Sequence, residues 1–205
     1  MTTLLLIRHG DNDYLKKNRM PGRIPGIPLN EGGRAQATEL AKTLGDQPIT
    51  AIYSSPLQRA VETSEPLARI LGLDIQIFPE LTDSDVGEWE GRSWKMLGRT
   101  RQWKVIQEFP SKFQFPGGEA FVNIQDRVVR ALQKIIKDNG ADKLVAVVFH
   151  ADPIKLGVAH YLGLPLDNFQ RLSVHPGSVT ILKVDGSSVK LLGLNLIPPF
   201  SFPKQ

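Results

Sequence analysis

An α/β fold is predicted: a three-layer sandwich with a mostly parallel central sheet, helices on both faces and an antiparallel edge. Three observations predict it. Short apolar runs of strand length alternate along the chain with amphipathic segments of helical length. Leu144–Phe149 is apolar throughout, as a parallel strand covered on both faces must be. Near the C-terminus, Asp185-Gly186 separates two further apolar runs, which is a hairpin signal.

In chain order, Thr3–Ile7 is a buried strand that runs into a turn at Arg8-His9-Gly10. Asn30–Leu44 is helical, with Ala35, Leu40, Ala41 and Leu44 as its apolar stripe. Thr50–Tyr53 is a short strand. Ser55-Pro56-Leu57-Gln58 then carries an N-cap Ser, a Pro at the first helical position and a Gln that completes a capping box. The helix it opens runs to about Leu71, with Pro66 expected to kink or divide it. Ile75–Phe78 alternates as a strand, and a polar loop, Glu80–Arg92, follows. The basic stretch after it is expected to be helical. Pro116-Gly117-Gly118 breaks the chain before an amphipathic helix over Ala120–Lys137. Beyond the strand at Leu144–Phe149, Asp152-Pro153 is expected to cap and open a helix over Ile154–Leu162. Val179–Val184 and Val189–Leu194 form the antiparallel edge.

A chain of 205 residues buries about 70% of its unfolded surface, so neither disulfide nor metal is needed to hold it together. No repeat or linker interrupts it, so residues 1–205 are expected to form a single domain, with 88–118 as a lid or insertion. The absence of Cys excludes a disulfide framework, a thiolate nucleophile and Cys-ligated zinc or iron–sulfur sites. The longest apolar run near the start, Leu4–Ile7, is too short for a signal segment or a membrane span. A soluble cytoplasmic protein without a membrane partner is therefore expected. The pI of about 9.4 hints at nucleic acid, but the charge is regional. Arg92, Lys95, Arg99, Arg101, Lys104 and Lys112 face only one acid in that stretch, Glu108. Such a cluster is either a solvated face or a lid that draws in an anionic ligand, and no nucleic-acid partner is expected.

Ligands of open α/β sheets bind beyond the carboxyl ends of the strands. Arg8-His9 ends the first strand, Arg59 lies on the helix after the second, and His150 ends the Leu144 strand. The loop after Ile75–Phe78 adds Glu80, Asp83, Asp85, Glu88 and Glu90. Guanidinium forks match phosphoryl oxygens, an imidazole nitrogen can attack phosphorus, and a carboxylic acid can protonate the leaving oxygen.

At these residues the chain resembles the histidine phosphatase superfamily, the phosphoglycerate mutase-like proteins. Leu6-Ile7-Arg8-His9-Gly10 resembles its R-H-G signature. Pro28-Leu29-Asn30-Glu31-Gly32-Gly33-Arg34-Ala35-Gln36-Ala37 and Ser54-Ser55-Pro56-Leu57-Gln58-Arg59-Ala60-Val61-Glu62-Thr63 are similar to its first two helical segments. Gly87-Glu88-Trp89-Glu90-Gly91, Phe115-Pro116-Gly117-Gly118-Glu119 and Val147-Val148-Phe149-His150 follow in the family's order. The resemblance implies that His9 takes the phosphoryl group as a phosphohistidine while Arg8, Arg59 and His150 cradle its oxygens. It implies no metal and no other cofactor. The family usually places a Glu where this chain has Asp83, so Asp83 is the expected proton donor, with Glu80 as fallback. Asn12 or Asn18 supplies the amide contact that the family takes from a position occupied here by Leu15.

The remaining groups are assigned ordinary roles. His160 and His175 are helix-face and loop histidines without a ligand. Trp89, Trp94 and Trp103 are core or lid packing rather than a base-stacking platform. The expected activity is a metal-independent phosphomonoesterase acting on a small phosphorylated metabolite. A phosphomutase is the close alternative, and a non-catalytic phospholigand-binding protein the more distant one. The irregular tail from Ile197 to Gln205 is left to pack on the domain or on a second subunit, so a homodimer stays open.

Overall fold

The computed structural model describes residues 1–186 and 188–202. The strands are β1 (Thr2–Arg8), β2 (Ile49–Ser54), β3 (Ile75–Ile77), β4 (Leu144–Phe149), β5 (Val179–Asp185) and β6 (Ser188–Leu196). The helices are α1 (Asp13–Lys16), α2 (Glu31–Leu44), α3 (Gln58–Leu71), α4 (Trp94–Leu97), α5 (Arg101–Glu108), α6 (Phe121–Asn139) and α7 (Ala151–Tyr161). The six strands lie in the order β3-β2-β4-β1-β5-β6. The first four are mutually parallel, while β5 and β6 run antiparallel to their neighbours. The expected architecture is therefore present, with Asp185 paired to Ser188 across the hairpin. Ser187 of that turn and the tail beyond residue 202 lie outside the described residues.

Strand alternation divides the apolar side chains between two cores. Leu4, Leu6, Tyr53, Val145, Val147 and Phe149 face α6 and α7, where Val128, Leu132, Ile135, Ile154 and Val158 meet them. Leu5, Ile7, Ile52, Ala146 and Val148 face α2 and α3, against Leu40, Leu44, Ala60 and Leu67. Both faces of β1 and β4 are thus dry, and a continuous apolar run is the sequence form that condition takes.

Three local expectations change. First, α3 starts at Gln58 with Leu57 as its N-cap and no side-chain cap. The Ser55 hydroxyl accepts from Leu57 N at 3.3 Å but belongs to the site below, and Gln58 donates to Glu62 instead of closing a capping box. Second, α3 runs unbroken through Pro66, because the bond lost there falls on a half-buried face while Thr63, Ser64, Leu67 and Ala68 anchor the helix on its other side. Third, His150 is the N-cap residue of α7, so Asp152 lies inside the first turn rather than capping it. Its carboxylate pairs with Lys155 Nζ at 2.7 Å.

Residues 88–118 form α4, α5 and two 3-10 turns, Gly87–Trp89 and Pro110–Lys112. They share the sheet's core through Trp89, Leu97, Ile106, Phe113 and Phe115. Aromatic rings at 5.0 to 5.5 Å between centroids lead from Trp89 through Phe115 and Phe121 to Phe169. The six cations of the basic stretch are all exposed, so they form a solvated face and none lines the cavity beneath. Among the described residues no helix is long and apolar enough to cross a membrane.

The α6–α7 seam sets the stability of this layer. Leu132 is fully buried, and Gly157 brings α7 so close that a Cβ there would sit 3.2 Å from its Cδ1. Leu132→Ala is expected to cost about 2–5 kcal/mol. Urea denaturation should show a lower midpoint at unchanged slope.

Candidate active site

Register brings the chemistry together. Arg8 pairs with Phe149 and Ser54 with Val148, so the residues that follow the three strands emerge side by side. His9 N donates to Phe149 O at 3.0 Å and Ser55 N to Val148 O at 2.9 Å. Arg59 reaches the same point from the first turn of α3. Thr63, one turn later, ties that helix to the β1 loop, accepting from Gly10 N at 3.0 Å and donating to Arg59 O at 2.7 Å. Gly10 is required by close approach, since a Cβ there would lie 2.7 Å from Gly33 O in α2.

His9 is buried and its ring is fixed on both sides. Nδ1 lies 2.7 Å from Gly10 O, which can only accept, so Nδ1 carries the hydrogen. Nε2 lies 3.3 Å from Arg59 Nε, which can only donate, so Nε2 presents its lone pair. Burial, reinforced by the charge of Arg59, holds the His9 pKa well below the ordinary imidazole value. His9 is therefore a neutral imidazole whose Nε2 lone pair can act as a nucleophile.

Arg59 is fully buried. Its Nη2 donates to Asp83 Oδ2 at 3.0 Å and to Gly22 O at 2.7 Å. Asp83 Oδ2 also lies 3.3 Å from His150 Nδ1. Burial pushes the Asp83 carboxyl upward, and the opposing pull of Arg59 does not cancel that shift. The two histidine rings stand edge to face at 5.1 Å. His150, likewise held well below its ordinary pKa by burial and then by Arg59, approaches the Ser55 hydroxyl at 2.8 Å through Nε2. Ser55 Oγ also accepts from Leu57 N, so its own hydrogen can go to His150 Nε2; Nδ1 then carries the ring hydrogen, although it makes no hydrogen bond to Asp83. Arg8 Nη1 donates to Val174 O at 2.7 Å.

Four residues named from the sequence, His9, Arg59, Asp83 and His150, thus form one contact cluster, and Arg8 and His9 line the same cavity as Asp83. Glu80 does not join them. It is exposed on the far end of the loop, where its carbonyl accepts from Arg127. Asn12 is buried, with Oδ1 capping α1 through Tyr14 N and Leu15 N and with Nδ2 unpartnered. Asn18 is exposed in a left-handed conformation and stays outside the cavity. Ser55 was hidden from sequence reasoning by its capping pattern. Ser84, whose buried hydroxyl faces the cavity unpartnered, carries no local signal at all.

The cavity measures about 470 Å³. Arg8, His9 and Asp83 line its floor; Met20, Val86, Trp94, Trp103 and Phe115 line its apolar side, and Asp152, Lys155 and Gln170 its polar side. Trp94 and Trp103 are half-buried and border the cavity, whereas Trp89 is core. His175, a loop residue bonded to Asn195, lies at the cavity wall, while His160 is exposed on α7. Among the described residues, no three His, Asp or Glu side chains are placed to hold a metal ion.

Both buried histidines stay neutral in the fold but titrate near 6.5 when unfolded, so the unfolded chain binds more protons below that pH. Their contribution to stability is present above pH 6.5 and is lost as pH falls. The raised Asp83 works in the opposite sense, favouring the fold as pH falls, but two groups oppose one. The urea midpoint is expected to drop between pH 7 and 5, and to drop less in His150→Gln; a flat wild-type profile would contradict the assignment.

The sequence profile of the histidine phosphatase superfamily (branch 1) matches residues 4–197. A bifunctional protein of Mycobacterium tuberculosis is 36% identical over 202 residues, covering 93% of this chain and 53% of its own length. The chain thus spans about half the length of the first curated relatives it matches. Phosphoserine phosphatase 1 of Hydrogenobacter thermophilus is 28% identical, with 96% and 93% covered. Among solved structures, Bacillus stearothermophilus YhfR superposes with a TM-score of 0.89 at 30% identity, covering 96% of this chain and 98% of that one.

Proposed function

The chain belongs to the histidine phosphatase superfamily, and from that premise we propose that it is a metal-independent phosphomonoesterase working through a phosphohistidine on His9. The observation that carries this reading is a set of buried donors without partners in the chain. Arg8 Nε, Arg59 Nη1 and His150 Nδ1 are all buried and form no hydrogen bond. Unsatisfied buried donors are costly, and a tetrahedral oxyanion is the ligand that satisfies several at once. With Asp83 protonated, the two guanidinium charges match a phosphomonoester dianion.

In the first step His9 Nε2 attacks phosphorus as the bond to the leaving oxygen breaks, and the Asp83 proton passes to that oxygen. Arg59 turns its Nε–H from the ring nitrogen to a phosphoryl oxygen. In the second step water attacks the phosphohistidine, Asp83 takes its proton, and phosphate departs with the free imidazole restored. Arg8, Arg59 and His150 stabilise the equatorial oxygens in both transition states, and Asn12 Nδ2 is a further donor to them. The substrate is a small phosphorylated alcohol, and the named relative makes phosphoserine the first to test.

His9→Ala is expected to lower turnover of 4-nitrophenyl phosphate and phosphoserine by about 10³-fold or more. Quenched wild-type enzyme should retain acid-labile, alkali-stable phosphate that the variant lacks. Undiminished turnover in His9→Ala, or loss of wild-type activity with EDTA, would overturn the mechanism. Phosphoryl migration on 3-phosphoglycerate without phosphate release would make the enzyme a mutase.

A further inference from the structure

Asp83 must hold its proton where the leaving oxygen will be, yet it sits in a stretch, residues 82–86, with no regular secondary structure. Its carboxyl hangs on a single methylene, so the backbone decides where the proton lies. That backbone is gripped by two arginines from elsewhere in the chain. Arg127 of α6 donates from Nη1 to Glu80 O at 2.6 Å and to Thr82 O at 3.0 Å, and from Nη2 to Asp83 O at 3.3 Å. Arg23 donates from Nε to Asp83 O at 2.9 Å.

One carboxylate aligns both arginines. Glu119 accepts from Arg127 through Nε at 3.1 Å and Nη2 at 3.1 Å, a two-pronged pair, and from Arg23 Nη2 at 2.7 Å. It also accepts Asp85 N at 3.0 Å, while its own N–H donates to Asp85 O at 2.9 Å. Burial favours the neutral acid here, but the donors from Arg127 and Asp85 outweigh it and keep the group ionised. The turn that carries Glu119 is itself locked to the acid loop. Glu88 N donates to Pro116 O at 2.9 Å, and a Cβ on Gly87, which has φ +49°, would lie 2.1 Å from that oxygen.

We propose that Glu119 is a positioning residue for proton transfer, holding Arg23 and Arg127 on the backbone of residues 80–83 so that the Asp83 carboxyl meets the leaving oxygen. The proposal rests on the phosphatase reading above. Gln at this position keeps the shape but offers one acceptor oxygen, and turns an amide N–H₂ toward a guanidinium. The arginines would lose their alignment and the acid loop its fixed place, while His9, Arg8 and Arg59 keep theirs.

The distinguishing measurement is kcat/KM against leaving group, because it reads the phosphorylation step, whereas the water step shared by all substrates enters kcat alone. General-acid assistance is worth about 10²-fold or more where an alkoxide must leave and little where a stable phenolate does. Glu119→Gln is expected to lose about 10²-fold in kcat/KM on phosphoserine and at most about threefold on 4-nitrophenyl phosphate, following Asp83→Asn. Inhibition by vanadate should be little changed, and Glu119→Asp should restore part of the alkyl phosphate activity. Equal losses on both substrates, or none on either, would overturn the proposal. If a thermal melt shows Glu119→Gln unfolded, Arg127→Lys serves instead, since it keeps the charge but not the fork, and the same selective loss is required. A wild type as inactive as His9→Ala on both substrates would refute the phosphatase reading itself.

Discussion

Taking a guanidinium wholly out of water costs several kcal/mol unless charge and hydrogen bonds replace what the solvent supplied. Arg59 is such a group, and its replacements come from three other parts of the chain. Asp83 gives a carboxylate oxygen, Gly22 a carbonyl and His9 a ring nitrogen. Each bond fixes one segment relative to α3, so one buried charge sets the distances on which the site depends. Removing any partner would strip a hydrogen bond from a buried cation. What the protein leaves unmatched on Arg59 is a single terminal nitrogen, the donor that the proposed function gives to the phosphoryl group.

The parallel sheet supplies the rest of the geometry. In a parallel arrangement the carboxyl ends of neighbouring strands lie at one edge, and the order β2-β4-β1 places Ser55, His150 and His9 at that edge in sequence across the sheet. The two apolar cores on either side make this edge rigid. The site therefore inherits its precision from strand register, while the elements laid over it, α4 and α5, shape only the cavity's upper wall.

How much of this was legible in sequence depended on whether the signal was local. Continuous apolar runs announced β1 and β4, and the residues at their ends pointed to Arg8, His9 and His150. Ser55 was misassigned because a hydroxyl before Pro at a helix start looks the same whether it caps the helix or turns to a histidine 95 residues away. Asp152 failed for a related reason: an acid at a helix cap and one two residues inside it differ by only about half a turn of backbone. The arginine clamp carried no local sign, since Arg23 and Glu119 are 96 residues apart and meet only when the α6 layer closes on the acid loop. The basic stretch was visible, but composition does not reveal which way a side chain faces.

The two kinds of pKa displacement in the site depend on each other. In the proposed reaction His9 must be unprotonated to attack, while Asp83 must be protonated to assist the departing oxygen, and in water at neutral pH Asp would hold the opposite state. Burial alone moves both the right way, because it disfavours the charged form of each. The arginines then act differently on the two. They reinforce the neutral imidazole by repulsion, yet they stabilise the ionised carboxylate, so the rise of Asp83 is held in check. A dianionic phosphoryl group arriving between them changes this balance, since its negative charge offsets the guanidinium pull and raises the carboxyl further. The acid is therefore most fully protonated when substrate is present, and the site's positive charge is greatest at the moment a dianion needs it.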